Sequence, residues 1–88
     1  MESTDKNKKF SEVVIVEGRD DTKRLKLFFP ELETIETNGS EISQTTLTKI
    51  KKLAELRPLI ILTDPDFNGE RIRRKVAEVA PNAKHAFI

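Results

Sequence analysis

An α/β fold on a four-stranded parallel sheet, in the order βαβαβαβ with helices on both faces, is predicted by three features of the chain. VVIV at 13–16 and LIIL at 59–62 are unbroken aliphatic runs without polar alternation, the pattern of strands buried on both faces of a parallel sheet. Three segments with helical apolar spacing lie between and after these runs, and each is followed by a proline, Pro30, Pro58 or Pro81. Strand and helix therefore alternate, which forces parallel pairing through right-handed crossovers and brings every strand's carboxyl end to one rim.

The elements follow in order. Residues 1–10 are polar, charged and aperiodic, so a flexible tail is expected there, with the folded domain over 11–88. After the 13–16 strand, Asp20 or Asp21 is positioned to cap a helix whose inward stripe is Leu25, Phe28 and Phe29. A weaker strand is expected over 34–37, anchored by Ile35. Ser43 or Thr45 starts the second helix, with Leu47, Ile50 and Leu53 or Ala54 inward. The 59–62 strand leads to a third helix in which Ile72, Val76 and Val79 have i, i+4, i+7 spacing, and a last strand is expected over 84–88.

Size and charge restrict the function classes. With 88 residues, 36% of them hydrophobic, and no cysteine, the chain has room for one modest core without disulfides. Lys+Arg total 16 against 15 Asp+Glu, so a basic surface for nucleic acid must be local rather than global. No apolar run approaches the roughly 20 residues that span a bilayer, and the opening MESTDKNKK lacks the apolar centre of a signal peptide, so a cytoplasmic protein is expected. The P-loop pattern G-x-x-x-x-G-K-[ST] is absent, which disfavours a Walker-type NTPase, and with Tyr 0 no phosphotyrosine strand transfer is available to this chain.

The chemistry-bearing residues gather at strand ends. Glu17 and Gly18 follow the first strand directly, and Asp64, Pro65 and Asp66 follow the third. If those strands are neighbours, these carboxylates meet where ligands bind in such sheets, at the carboxyl rim beside the reversal of strand order. Clustered carboxylates repel unless a cation neutralises them, and Mg²⁺ accepts a few carboxylates while keeping water and phosphate oxygens. Asp-Pro-Asp alone is also turn and cap chemistry, with Asp66 or Asn68 capping the third helix. Capping explains Asp-x-Asp-x-x-Gly at one strand end joined to Glu-Gly at another much less easily, and the combination points to a metal site.

These residues resemble the Toprim signature, found in a Rossmann-like metal-dependent nucleic-acid domain, in which a glutamate ends the first strand and Asp-x-Asp ends the third. VIVEGRDD supplies Glu17 and ILTDPDFNGE supplies Asp64 and Asp66, and the resemblance runs from about Glu12 to Ile88. More narrowly, VEGRDDTKRLK, ETNGSEI, LTDPDFNGERIRR and KHAFI are similar to the amino-terminal domain of the bacterial 5S ribosomal RNA maturases. The resemblance implies a metal-dependent endoribonuclease acting by phosphodiester hydrolysis on 5S ribosomal RNA precursor, with Mg²⁺, or Mn²⁺ in its place, as cofactor. It assigns Asp64 and Asp66 as metal ligands and Glu17 as general acid/base or third ligand. Gly69 matches the glycine opening the third helix, and Asn38 with Gly39 the turn after the second strand. It also implies a carboxy-terminal region beyond these residues and a ribosomal protein as partner.

Arg71, Arg74 and Lys75 share a helix face opposite Ile72, Val76 and Val79, and Arg19 lies near the rim; Arg19, Arg71 and Arg74 are the candidate phosphate contacts. Most phenylalanines are expected in or near the core, with Phe67 either stacking on a base or packing as a lid over the third helix. His85 is read as a hydrogen-bonded structural residue. Two other classes compete: a Toprim module that binds nucleic acid without cutting it or that serves DNA, and a phosphoacceptor receiver domain. The latter expects paired acids after the first strand, whereas Asp20 and Asp21 fall in the helix start.

Overall fold

The computed structural model describes residues 11–87; the tail expected over 1–10 and Ile88 lie outside the described residues. The elements are β1 (Val13–Val16), α1 (Arg19–Phe28), β2 (Glu33–Glu36), α2 (Gln44–Ala54), β3 (Leu59–Thr63), α3 (Phe67–Val79) and β4 (Lys84–Phe87). All pairings are parallel and the strand order is β2-β1-β3-β4, so β1 and β3 are neighbours and the strand order reverses between them. The expected β2 is displaced by one residue and β3 extends one residue further, to Thr63.

Strand position explains burial. All four β1 side chains are buried because β1 is central and covered on both faces, while β3 alternates between buried and half-buried. On one face Val13, Ile15, Leu59 and Ile61 meet Ile50 of α2 and Ile72 and Val76 of α3 in the larger cluster. On the other, Val14, Val16 and Leu32 form a smaller cluster with half-buried Leu25, Ile60 and Leu62. The helices thus lie on both faces, two against one.

That imbalance overturns the expected inward stripe of α1. Leu25 packs, but Phe28 is 74% exposed and Phe29 45%. By Phe28 a helix beginning at Arg19 has advanced about 14 Å, about the length of a four-residue strand, and this face has no second helix to cover its last turn. Phe67 and Phe87 are also exposed, so none of the described phenylalanines is a fully buried core residue. The core is instead made by β-branched aliphatics, which pack well on a short pleated sheet.

The caps follow local chemistry with one shift. Ser43 caps α2, its hydroxyl accepting from the Thr46 N–H at 3.1 Å. The N-cap of α1 is Gly18, rather than Asp20 or Asp21. Asp21 instead reaches back from the first turn to accept the Gly18 N–H at 3.2 Å, the reverse half of a capping box. Asp20 and Asp21 remain favourably placed against the amino-terminal end of the helix dipole.

Candidate metal and nucleic-acid site

The rim is assembled from backbone upward. Val13, Val14 and Ile15 pair with Leu59, Ile60 and Ile61, and continuing that register sets Glu17 opposite Thr63, one residue short of Asp64. The Glu17 carbonyl accepts from the Asn38 N–H at 2.7 Å and the Val16 carbonyl from Thr37 at 2.9 Å, so the turn after β2 is fastened to the end of β1. Asn38 and Gly39 make that turn with φ of 61° and 106°, the left-handed region that suits Asn and Gly. Gly18, by contrast, is extended at φ −152°, and a Cβ there would meet nothing within 4 Å, so its space is not sterically demanded.

The Asp-Pro-Asp segment turns directly into α3. Asp64 is exposed, and Asp66 is the N-cap, its Oδ1 accepting from the Gly69 N–H at 2.7 Å. Capping and metal ligation are compatible, because an ionised carboxylate has further lone pairs and its second oxygen can still serve a cation. Gly69 is buried against the strand end: a Cβ on it would fall far inside contact distance of the Asp64 carbonyl oxygen, 3.0 Å from Thr63 Oγ1 and 3.1 Å from Asp66 Oδ1. The glycine therefore lets α3 begin directly over the loop that carries both aspartates.

Glu17 and Asp64 thus end adjacent strands, with Asp66 at the helix that follows. Among the described residues, no three acidic or histidine side chains converge into a ready-made metal cage. The carboxylates expected to meet at the rim thus do not form a three-ligand cluster, and what the rim offers is individual all-oxygen donors, of the kind a hard divalent cation completes with water and substrate phosphate. The hydroxyls of Thr37 and Thr63, at the ends of β2 and β3, are buried without a hydrogen-bond partner, placing unused polar groups beside the rim.

The basic residues divide by environment. Arg19 and Arg74 are exposed, and Lys75 is half-buried. Arg71 pairs with Glu41 at 3.3 Å and its guanidinium stands 5.9 Å from the Phe67 ring centroid. Phe67 is 74% exposed, so it is not packed as a lid over α3.

Arg73 belongs to the interior, a role that sequence reasoning missed. It is 4% exposed and donates to the carbonyl oxygens of Ile61 and Thr63, each at 3.3 Å, and to that of Ala86. Burial pushes its pKa below the ordinary arginine value, an effect the nearby Glu70 carboxylate opposes. Arg73 only donates, so the His85 Nδ1 at 3.0 Å is an acceptor, which puts the proton of neutral His85 on Nε2 and fits its structural role. The Arg73 guanidinium also lies 3.7 Å from the Phe87 centroid, fastening β4 to β3 from beneath. The available signal was spacing: Gly69, Ile72, Arg73 and Val76 fall at i, i+3, i+4, i+7 on the inward face. Arg73→Met, which keeps apolar bulk but removes these hydrogen bonds, is expected to lower stability by about 2 kcal/mol. Urea unfolding checks this through a lower midpoint at unchanged slope.

The comparisons with known proteins agree with the fold. The Toprim domain family model matches residues 12–88. Ribonuclease M5 of Lactiplantibacillus plantarum is 54% identical over 81 residues, covering 92% of this chain and 43% of that protein. Ribonuclease M5 of Lactococcus lactis subsp. lactis is 52% identical over 80 residues, covering 91% and 38% respectively. The chain thus spans less than half the length of these curated relatives. A small Toprim domain protein from Bacillus stearothermophilus superposes with a TM-score of 0.72 at 29% identity, over 92% of this chain and 69% of that one. With the carboxylate-bearing strand ends, the parallel strand order and a family match over nearly its whole length, the chain belongs to the Toprim domain family.

Proposed function

We propose that this chain is the catalytic domain of a Mg²⁺-dependent endoribonuclease that matures 5S ribosomal RNA precursor by phosphodiester hydrolysis. The observation that carries the reading is the placement of Glu17 and Asp64 at the ends of neighbouring parallel strands, with Asp66 capping the next helix. The similarity to proteins named Ribonuclease M5 supports the substrate class, and the reading carries with it a cytoplasmic setting and a ribosomal protein that would present the RNA. Mn²⁺ would serve in place of Mg²⁺.

Asp64 and Asp66 would hold the metal, and Glu17 would complete its shell or move a proton. Bound there, the ion supplies charge that polarises the phosphoryl group and acidifies a water. The protein's own residues set the geometry. Asp66 is oriented by the Gly69 N–H, and its fixed carboxylate gives the site direction. Glu17 extends from a strand end held by Asn38, and in this reading its carboxylate would accept the proton of an attacking water or return one to the leaving oxygen. Arg19, Arg71 and Arg74 add positive charge for the RNA backbone, where affinity is chiefly electrostatic and salt-sensitive.

The test is an NMR titration of this chain with Mg²⁺ and with paramagnetic Mn²⁺. The amides of Gly18, Asp64, Asp66 and Gly69 are expected to shift and broaden selectively. If they stay unmoved at millimolar metal with a single-stranded RNA also present, Asp66 serves only as a cap and the metal-site reading fails.

A further inference from the structure

We infer that Phe67 is a base-stacking residue, and that the outer face of α3 holds an unpaired nucleotide of the RNA next to the phosphate presented to the carboxylate rim. This rests on the function proposed above and goes beyond it by assigning a subsite to a residue outside the carboxylate and arginine set.

Three observations carry the inference. First, Phe67 follows Asp66 directly and opens α3, yet it is 74% exposed. Its ring, held in water beside the acidic loop, offers a flat face of the kind on which a nucleobase stacks. Second, Phe67, Arg71, Arg74 and Lys75 are at i, i+4, i+7 and i+8, so one helical face runs away from the rim with an aromatic at its near end and cations beyond it. These residues and Glu78 line an open groove of about 410 Å³. Arg71, Arg74 and Lys75 stand against Glu78 and against Glu41, which pairs with Arg71, so the groove keeps a net positive charge that matches a polyanion. Third, the Arg71 guanidinium lies 5.9 Å from the ring centroid while its ion pair with Glu41 leads away to the loop before α2. The guanidinium is thus held beside the ring and can accompany a stacked base.

An unpaired base is the form this arrangement fits. A base inside a duplex has both faces occupied by its neighbours, so a single protruding phenylalanine can stack only on one that is unstacked or at a strand end. With the base on Phe67, its flanking phosphates fall toward Asp64 on one side and toward Arg74 and Lys75 on the other. The ring would thereby fix which phosphate reaches the rim, as a positioning and specificity residue.

The test measures binding without cleavage. Fluorescence anisotropy in EDTA is run with a labelled single-stranded RNA octamer, the same octamer abasic at every position, and a long RNA duplex whose two ends are a small share of its binding sites. Phe67→Ala is expected to weaken single-strand binding by about tenfold or more, the range found when a stacking aromatic is removed. Phe67→Tyr should restore it, and duplex binding should stay unchanged. The abasic octamer should bind wild type weakly but lose nothing further with Phe67→Ala. Equal binding by wild type and Phe67→Ala, or equal losses on single strand and duplex, would overturn the inference. Because Phe67 is exposed, unchanged thermal melting of both variants verifies that the fold is intact. The EDTA assay holds no metal and reads stacking alone, whereas the Mn²⁺ broadening of the Asp64 and Asp66 amides reads the metal site, so failure of the one and failure of the other give different results.

Discussion

Gly69→Ala is expected to cost about 3 kcal/mol of stability, because the added methyl meets backbone that has nowhere to go. The clash is with the Asp64 carbonyl oxygen, with Thr63 Oγ1 and Asp66 Oδ1 close behind. Relief requires the first turn of α3 to move off the strand end, which would break the cap from Asp66 to the Gly69 N–H and draw Ile72 and Val76 out of the larger cluster. For a domain this small, whose total stability is on the order of 5–10 kcal/mol, that is a large fraction. Urea or thermal unfolding measures the loss. The same variant should lose selective Mn²⁺ broadening at Asp64 and Asp66 while still folded in the cold. Retention of both wild-type stability and metal response would mean that the helix approaches the strand less closely than described.

Asp64→Asn should act on chemistry and leave the fold nearly untouched. Its side chain is exposed and is not the cap of α3, so little stability depends on it. Asparagine keeps the shape but supplies a neutral oxygen where a charged one would bind a cation. If the ion stabilises the transition state by several kcal/mol, losing about 4 of them slows metal-dependent cleavage roughly a thousandfold. Single-turnover cleavage of a 5S precursor transcript, with melting temperature as control, measures both effects. Undiminished cleavage would remove Asp64 from the mechanism.

Much of this was legible in the residues because the signals were strong and local. VVIV and LIIL read as buried strands, a proline followed each helix, and alternation implied parallel topology, while the adjacency of β1 and β3 was a condition that the observed strand order meets. The rim positions of Glu17, Asp64 and Asp66 came with that topology. What failed depended on what covers each element. Phe28 and Phe29 share a helical face with Leu25, but apolar spacing does not record that this side of the sheet has no second helix to cover them. Arg73 was passed over because a charged residue is ordinarily solvated, and only tertiary structure offers it the carbonyl oxygens of Ile61, Thr63 and Ala86. The Gly69 contact was likewise invisible, although the glycine itself was recognised.

The unequal covering of the two sheet faces gives the rim one firm jaw and one compliant jaw. Asp64 and Asp66 belong to β3 and α3, which are rooted in the larger cluster and further fastened by Arg73. On the other side α1, which begins just after Glu17, rests on the smaller cluster chiefly through Leu25 and is tied to β2 by the Thr22 and Thr34 hydroxyls at 2.9 Å. Local opening is easiest where least apolar surface is buried, so α1 yields before α3 does. The rim can therefore open from the α1 side while the aspartates keep their places, and a bulky polyanion would be admitted without unseating the residues proposed to bind a cation.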